Sequence, residues 1–109
     1  MTRQVTILPR AERDAQAIFD WIFERSPEGA RRWWNALEGA IGAIAANPQR
    51  CGLAPEDDLV PCELRQFLFK TRRGRTYRAV FTVVGTEVRV LRVRGPGQPP
   101  LEREEIETD

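Results

Sequence analysis

The stretch TYRAVFTVVGTEVRVLRVR, residues 76–94, decides how this chain folds. Its first half alternates, Tyr77, Ala79, Phe81 and Val83 against Arg78, Val80, Thr82 and Val84, which is the period of a half-buried strand. Gly85-Thr86 then separates it from a second β-branched run, 87–94, by the two residues of a tight hairpin turn. A third strand candidate, 63–70, comes before them, set off by the basic turn Arg72-Arg73-Gly74-Arg75. Three strands joined this closely predict an antiparallel run that needs another layer to cover its apolar face.

That layer is legible upstream. Gln4-Val5-Thr6-Ile7-Leu8 reads as a short strand bounded by Pro9, and Pro9 suits the first turn of a helix, where its missing N–H costs nothing. Ala11, Ala15, Ile18 and Ile22 then share one helical face, widened by Phe19. The helix stops before Ser26-Pro27, because the residue before a proline is pushed out of the α region. Ser26 is placed to cap a second helix, with Pro27 at its first position and Glu28 in its positive first turn. Ala30, Trp33, Leu37, Ile41 and Ile44 form its apolar stripe, and Asn47-Pro48 ends it. Trp21 and Trp34 fall beside the stripes, at the flank of the core. So tight a junction predicts an antiparallel helical hairpin.

Residues 48–62, with Pro48, Gly52, Pro55, Pro61 and the run Glu56-Asp57-Asp58, read as a loop. The acidic run reads as a solvated turn and not as a catalytic carboxylate set. The fold expected is α+β, in the order β-α-α-β-β-β. The helical hairpin packs on one face of a mostly antiparallel four-stranded sheet and leaves the other face to water or a partner. The expected core holds Ile18, Ile22, Trp33, Leu37, Ile41, Phe81 and either Tyr77 or Val80. Residues 1–100 form a single domain, and 101–109 an acidic, mobile tail, since Gly95-Pro96-Gly97-Gln98-Pro99-Pro100 cannot continue a strand.

At 109 residues the chain has room for one domain. Its longest apolar runs are a few residues, so no membrane span is expected, and MTRQVTILPR has no signal-peptide pattern, which points to the cytoplasm. Cys51 and Cys62 are expected as free thiols there. With no histidine, the chain has no Ser-His-Asp or Cys-His machinery and no histidine metal site, and it has neither a P-loop nor a GxGxxG segment. No metal or small-molecule cofactor is expected.

The charge is distributed unevenly. Residues 1–100 carry 16 basic and 11 acidic side chains, while the last nine residues carry five acids against Arg103. Within 63–94, nine basic residues (Arg65, Lys70, Arg72, Arg73, Arg75, Arg78, Arg89, Arg92, Arg94) face only Glu63 and Glu87. Arginines must alternate outward on a half-exposed sheet, but this excess is more than solubility requires. It fits a face that contacts phosphate or an acidic protein segment.

The chain resembles the RelE/ParE toxin superfamily over nearly its whole length. The resemblance rests on Pro9-Arg10-Ala11-Glu12-Arg13-Asp14, Ile18-Phe19-Asp20-Trp21-Ile22, Ser26-Pro27, Asn47-Pro48, Glu63-Leu64-Arg65, Tyr77-Arg78-Ala79-Val80-Phe81 and Val90-Leu91-Arg92-Val93-Arg94, in that order and spacing. It implies the toxin of a type II toxin–antitoxin system, of the growth-inhibiting and plasmid-stabilising kind, wrapped by a cognate antitoxin. Two activities stay open, and with them whether the chain is an enzyme. A RelE-like ribosome-dependent mRNA endoribonuclease would use Arg65, Arg78, Arg94 and Lys70 as catalytic residues. A ParE-like protein would inhibit DNA gyrase. Arg72, Arg73, Arg75, Arg89 and Arg92 are the binding residues on either reading. The ParE-like reading is preferred, because no tyrosine follows Tyr77 and Gly95 stands where many ribonuclease relatives carry histidine, so a proton carrier near neutral pH is missing. A third possibility is an inactive member kept as a protein-binding module.

Overall fold

Gly85 takes φ +63° in the turn between two eight-residue strands, β4 (Tyr77–Val84) and β5 (Glu87–Arg94). Glycine enters that backbone region without the Cβ clash other residues meet. The computed structural model describes residues 2–106. Beside β4 lies β3 (Arg65–Phe69), antiparallel, and beside β3 the two-residue β2 (Gly52–Leu53), whose residues pair with Gln66 and Arg65. On the far side of β5 lies β1 (Gln4–Ile7), giving the order β1-β5-β4-β3-β2.

The α+β class and its order hold, with two differences. The sheet has five strands instead of four, because Gly52-Leu53, inside the expected loop, finds pairing partners that no local pattern announces. It is also mixed, since β1 runs parallel to β5. A parallel pair needs a long crossover, and the helical hairpin with the strands after it supplies one.

The two helices are α1 (Pro9–Arg25) and α2 (Pro27–Ala46), broken at Ser26 as the sequence predicts. Ser26 is extended, and its Oγ accepts the Gly29 N–H at 3.0 Å, satisfying one of the free donors of the α2 N-terminus. Both helices pack on one face of the sheet. Trp33, Leu37 and Phe81 are buried there, with Ile18, Ile22, Ile41 and Tyr77 half-buried around them. Ala11, Ala15 and Ala40 are small buried residues of the helices in this core, and Ile44, Phe69, Val88, Val90 and Val93 are buried with them. Val80, the alternative to Tyr77, is buried on the opposite face.

That opposite face exists in its present form because β5 carries a bulge. Phe81 pairs with Val90 but Val80 pairs with Arg92, so Leu91 is the extra residue. Strict alternation from Val90 would turn Arg92 and Arg94 toward the helices. The bulge shifts the phase beyond Leu91, so Val93 joins the helix-side core and Arg94 the face that holds Leu91.

The second face is not open, in contrast to the expectation. Ala54, Leu64, Val80, Leu91, Leu101 and Ile106 make a second apolar cluster there. The last two come from the segment expected to be a mobile tail. Residues 101–106, ending in the short helix α3 (Arg103–Ile106), fold back onto the sheet because Leu101 and Ile106 are apolar anchors within an acidic stretch. Residues 107–109 of that expected tail lie outside the described residues.

Candidate functional site

The nine basic residues of 63–94 separate into two groups. Arg78 projects from β4 onto the second face, where its guanidinium meets the Glu56 carboxylate with both terminal nitrogens, Nη1 at 2.9 Å from Oε1 and Nη2 closer still to Oε2. Nη1 also donates to Gln66 at 3.1 Å. Glu56 is 2% exposed, and its Oε2 accepts the Leu101 N–H at 2.8 Å. Burial pushes the Glu56 carboxyl upward. The Arg78 hydrogen bonds, the Leu101 N–H and the Arg78 charge more than offset this and hold it below the ordinary range. Glu56 therefore departs from the expected solvated turn. It sits in a 3-10 turn, Pro55–Leu59, that aims it beneath the sheet.

Arg94, 6% exposed, donates from Nη2 to the Pro99 carbonyl at 2.7 Å and lies 3.9 Å from Glu105. Arg65 donates to Glu63 at 2.9 Å and to the Cys51 carbonyl. Arg92 grips Asp14 of α1 bidentately, at 2.7 and 2.9 Å, and donates to the Glu105 carbonyl at 3.0 Å. Asp14 also accepts the Val93 N–H at 3.0 Å, tying α1 to β5 past the end of β1. Arg89 is more exposed and pairs with Glu87 at 2.7 Å. Arg78 and Arg94 are thus paired across β4 and β5, while Arg65 stands apart, opposite Phe81. Each of the three is held by acceptors within the chain, although the buried Nε of Arg94 has no partner among the described residues. Fixed in this way they bind β-strand, loop and C-terminal segment together.

Lys70, Arg72, Arg73 and Arg75 behave differently. All four are exposed on the β3–β4 turn, and none has a hydrogen bond or ion pair among the described residues. The turn forms one wall of a cleft of about 580 Å³. The opposite wall is the α1–α2 junction, with Ile22, Ser26, Gly29 and Arg32, and Trp33 and Tyr77 lie between. Trp33 is 2% exposed, yet its indole Nε1 has no acceptor among the described residues. A buried donor left unpaired costs about 1–3 kcal/mol. Of these cleft residues, Ser26, Arg32 and Trp33 are not legible as site residues in the sequence. No local pattern brings the helix junction against the basic turn.

Acid–base chemistry finds little to work with. Burial pushes the Tyr77 hydroxyl upward despite the Arg75 charge, and it pushes the Cys51 thiol upward despite Arg65. The Arg89 and Thr6 hydrogen bonds hold the Glu87 carboxyl low, and the Asp14 pairing raises Arg92 further. Each of these shifts moves away from neutrality, whereas a general acid or base works best with a pKa near the operating pH.

A separate, apolar groove of about 680 Å³ runs between α1 and α2 over β5, lined by Ile7, Ala11, Ala15, Trp34, Leu37 and Ile41 among others. Among the described residues no helix is long and apolar enough to cross a membrane.

A family model for the ParE toxin of the type II toxin–antitoxin system parDE matches residues 5–98. Among solved structures, the chain is similar to one from the chromosomal ParDE toxin–antitoxin system of P. aeruginosa, at TM-score 0.65 and 21% identity, covering 85% of this chain and 95% of that one. It is also similar to one from the RelBE2 toxin–antitoxin complex of Mycobacterium tuberculosis, at TM-score 0.53 and 24% identity, covering 86% of this chain and 98% of that one. No curated protein matches the chain in sequence.

Proposed function

The chain belongs to the ParE toxin family of type II toxin–antitoxin systems, and we propose that it arrests growth in the cytoplasm by inhibiting DNA gyrase until a cognate antitoxin neutralises it. The observation that carries this reading is the state of the three arginines among the four residues a RelE-like ribonuclease would use, the fourth, Lys70, being exposed on the turn. Arg78 is taken by Glu56, Arg94 by the Pro99 carbonyl, and Arg65 by Glu63 and the Cys51 carbonyl. Phosphoryl transfer within RNA asks for free cations to stabilise charge on phosphorus and for groups that move protons. The sheet supplies neither in accessible form. An inhibitor that binds its target and holds it needs only surface, and the exposed turn 70–75 offers it.

The antitoxin fits the apolar groove between α1 and α2. An amphipathic helix laid there would bury Trp34 and Ile41 by the helix-in-groove mode, and an acidic stretch continuing to the basic turn would add a salt-sensitive component.

The test in solution uses purified toxin, purified gyrase and plasmid DNA. We expect the toxin to trap broken DNA, seen as linear plasmid after detergent and protease treatment, and added antitoxin to abolish it. Supercoiling and cleavage both unaffected at equimolar toxin would reject the reading in favour of the ribonuclease or of an inactive binding module.

A further inference from the structure

We propose that the cleft between the α1–α2 junction and the β3–β4 turn is a phosphodiester site that holds the DNA backbone while the toxin engages its target, an inference that rests on the DNA-directed reading above. Arg32, Arg72, Arg73 and Arg75 line it, and among the described residues no acidic side chain does. The three turn arginines have no partner among the described residues, unlike those of the sheet, so their donors are free for a ligand. Arg32 has only Glu28, 3.9 Å away on the exposed face of α2, a weak surface contact.

A second observation is independent of this charge. Trp33 is among the residues lining the cleft, and its Nε1 is buried with no acceptor among the described residues, a donor that a ligand oxygen would reach by displacing the side chains that cover it. A phosphate oxygen accepts from guanidinium and indole N–H alike, and arginine meets phosphate with paired donors.

Nucleic acid is favoured over an acidic peptide by what adjoins the cleft. Arg75 and Tyr77 also line a neighbouring hollow of about 450 Å³ with Trp21, Ile18 and Pro96. Trp21 is 57% exposed, with Arg25 over its ring at 3.7 Å. A cationic groove leading to an aromatic side chain is how proteins hold a nucleic-acid backbone and its bases without reading sequence. Carboxylates of a peptide would have no use for that ring.

Three ligands distinguish the sources: a labelled single-stranded DNA 12-mer, a polyglutamate peptide of similar charge, and inorganic phosphate. The toxin alone, without gyrase, is titrated by anisotropy at several salt concentrations, with the indole N–H signals followed by NMR. We expect the oligonucleotide to bind and to shift the Trp33 indole N–H signal. Replacing Arg72, Arg73 and Arg75 together by alanine should weaken binding by roughly tenfold or more and lower the salt slope by about 0.7 for each phosphate no longer neutralised. Combining Arg73→Lys with Arg72→Ala and Arg75→Ala should recover part of the affinity that the triple alanine variant loses. All three side chains are exposed, and thermal unfolding checks that the variants stay folded.

An oligonucleotide that does not bind, or that binds the triple variant equally well, overturns the proposal. So does a polyglutamate peptide that binds as tightly and shifts the same Trp33 signal, which would make this an acidic-protein site. Inorganic phosphate alone shifting that signal, with no oligonucleotide affinity, overturns the DNA assignment. Because gyrase is absent from this assay, a failed gyrase test with intact oligonucleotide binding would reject the gyrase reading and leave the site. The reverse outcome would reject the site only.

Discussion

Arg78→Ala is expected to lower the unfolding free energy by about 3–5 kcal/mol, the range for stranding one charge of a buried ion pair. The charge left behind is Glu56, 2% exposed, with only the Leu101 N–H still donating to it besides its own turn. Glu56→Ala should cost a similar amount by stranding Arg78. Against a total stability of roughly 5–15 kcal/mol, either change brings the domain near unfolding at growth temperature. Loss of toxicity in Arg78→Ala would therefore report folding and not catalysis, and urea denaturation beside the toxicity assay separates the two. Two variants as stable as the parent would refute the structural role.

The same pair carries an acid dependence. Because the Glu56 carboxyl is held below its ordinary value in the folded state, its contribution is complete above the unfolded value of about 4.3 and is lost as pH falls through the depressed folded value. Glu87 is also held low and adds to the acid limb. The difference between the parent and Glu56→Gln is thus the informative quantity. The variant should show a shallower fall in stability in acid.

Leu101→Ala is expected to cost about 2–5 kcal/mol, as for any aliphatic side chain removed from a packed core. Leu101 is 2% exposed among Ala54, Leu64, Val80, Leu91 and Ile106. Removing residues 101–109 should cost more, since it uncovers this cluster and also takes the N–H from Glu56 and the Glu105 carbonyl from Arg92. A truncated chain with unchanged stability would mean that the segment is an appendage, as its sequence suggests.

The contrast between the helices and the C-terminal segment shows what local sequence can report. Ser26-Pro27 fixes the helix junction, and the alternation in 77–84 fixes β4, because capping, proline geometry and side-chain period all act within a few residues. Glu56 is a different case. Its neighbours Asp57 and Asp58 make it look solvated, and its burial depends on Arg78, 22 residues away, and on Leu101, 45 away. The pairing of Gly52-Leu53 with β3 and the parallel pairing of β1 with β5 are long-range in the same sense. The bulge at Leu91 leaves no compositional mark, yet it decides which face Arg94 occupies. The candidate site divides along the same line. The nine basic residues of 63–94 are visible as site residues in the sequence and Arg32 is not, whereas the separation of the nine into tethered arginines on the sheet and free ones on the turn depends on acceptors supplied from elsewhere in the chain.

Primer extension on a translated reporter, with chromosomal DNA breaks scored in the same cells after expression without antitoxin, bears directly on whether the tethered arginines leave a gyrase inhibitor or a ribonuclease. The expected result is intact message together with gyrase-dependent DNA breaks and a DNA-damage response. Codon-phased cuts in the message, abolished in a stably folded Arg65→Lys variant and unaccompanied by DNA breaks, would contradict it.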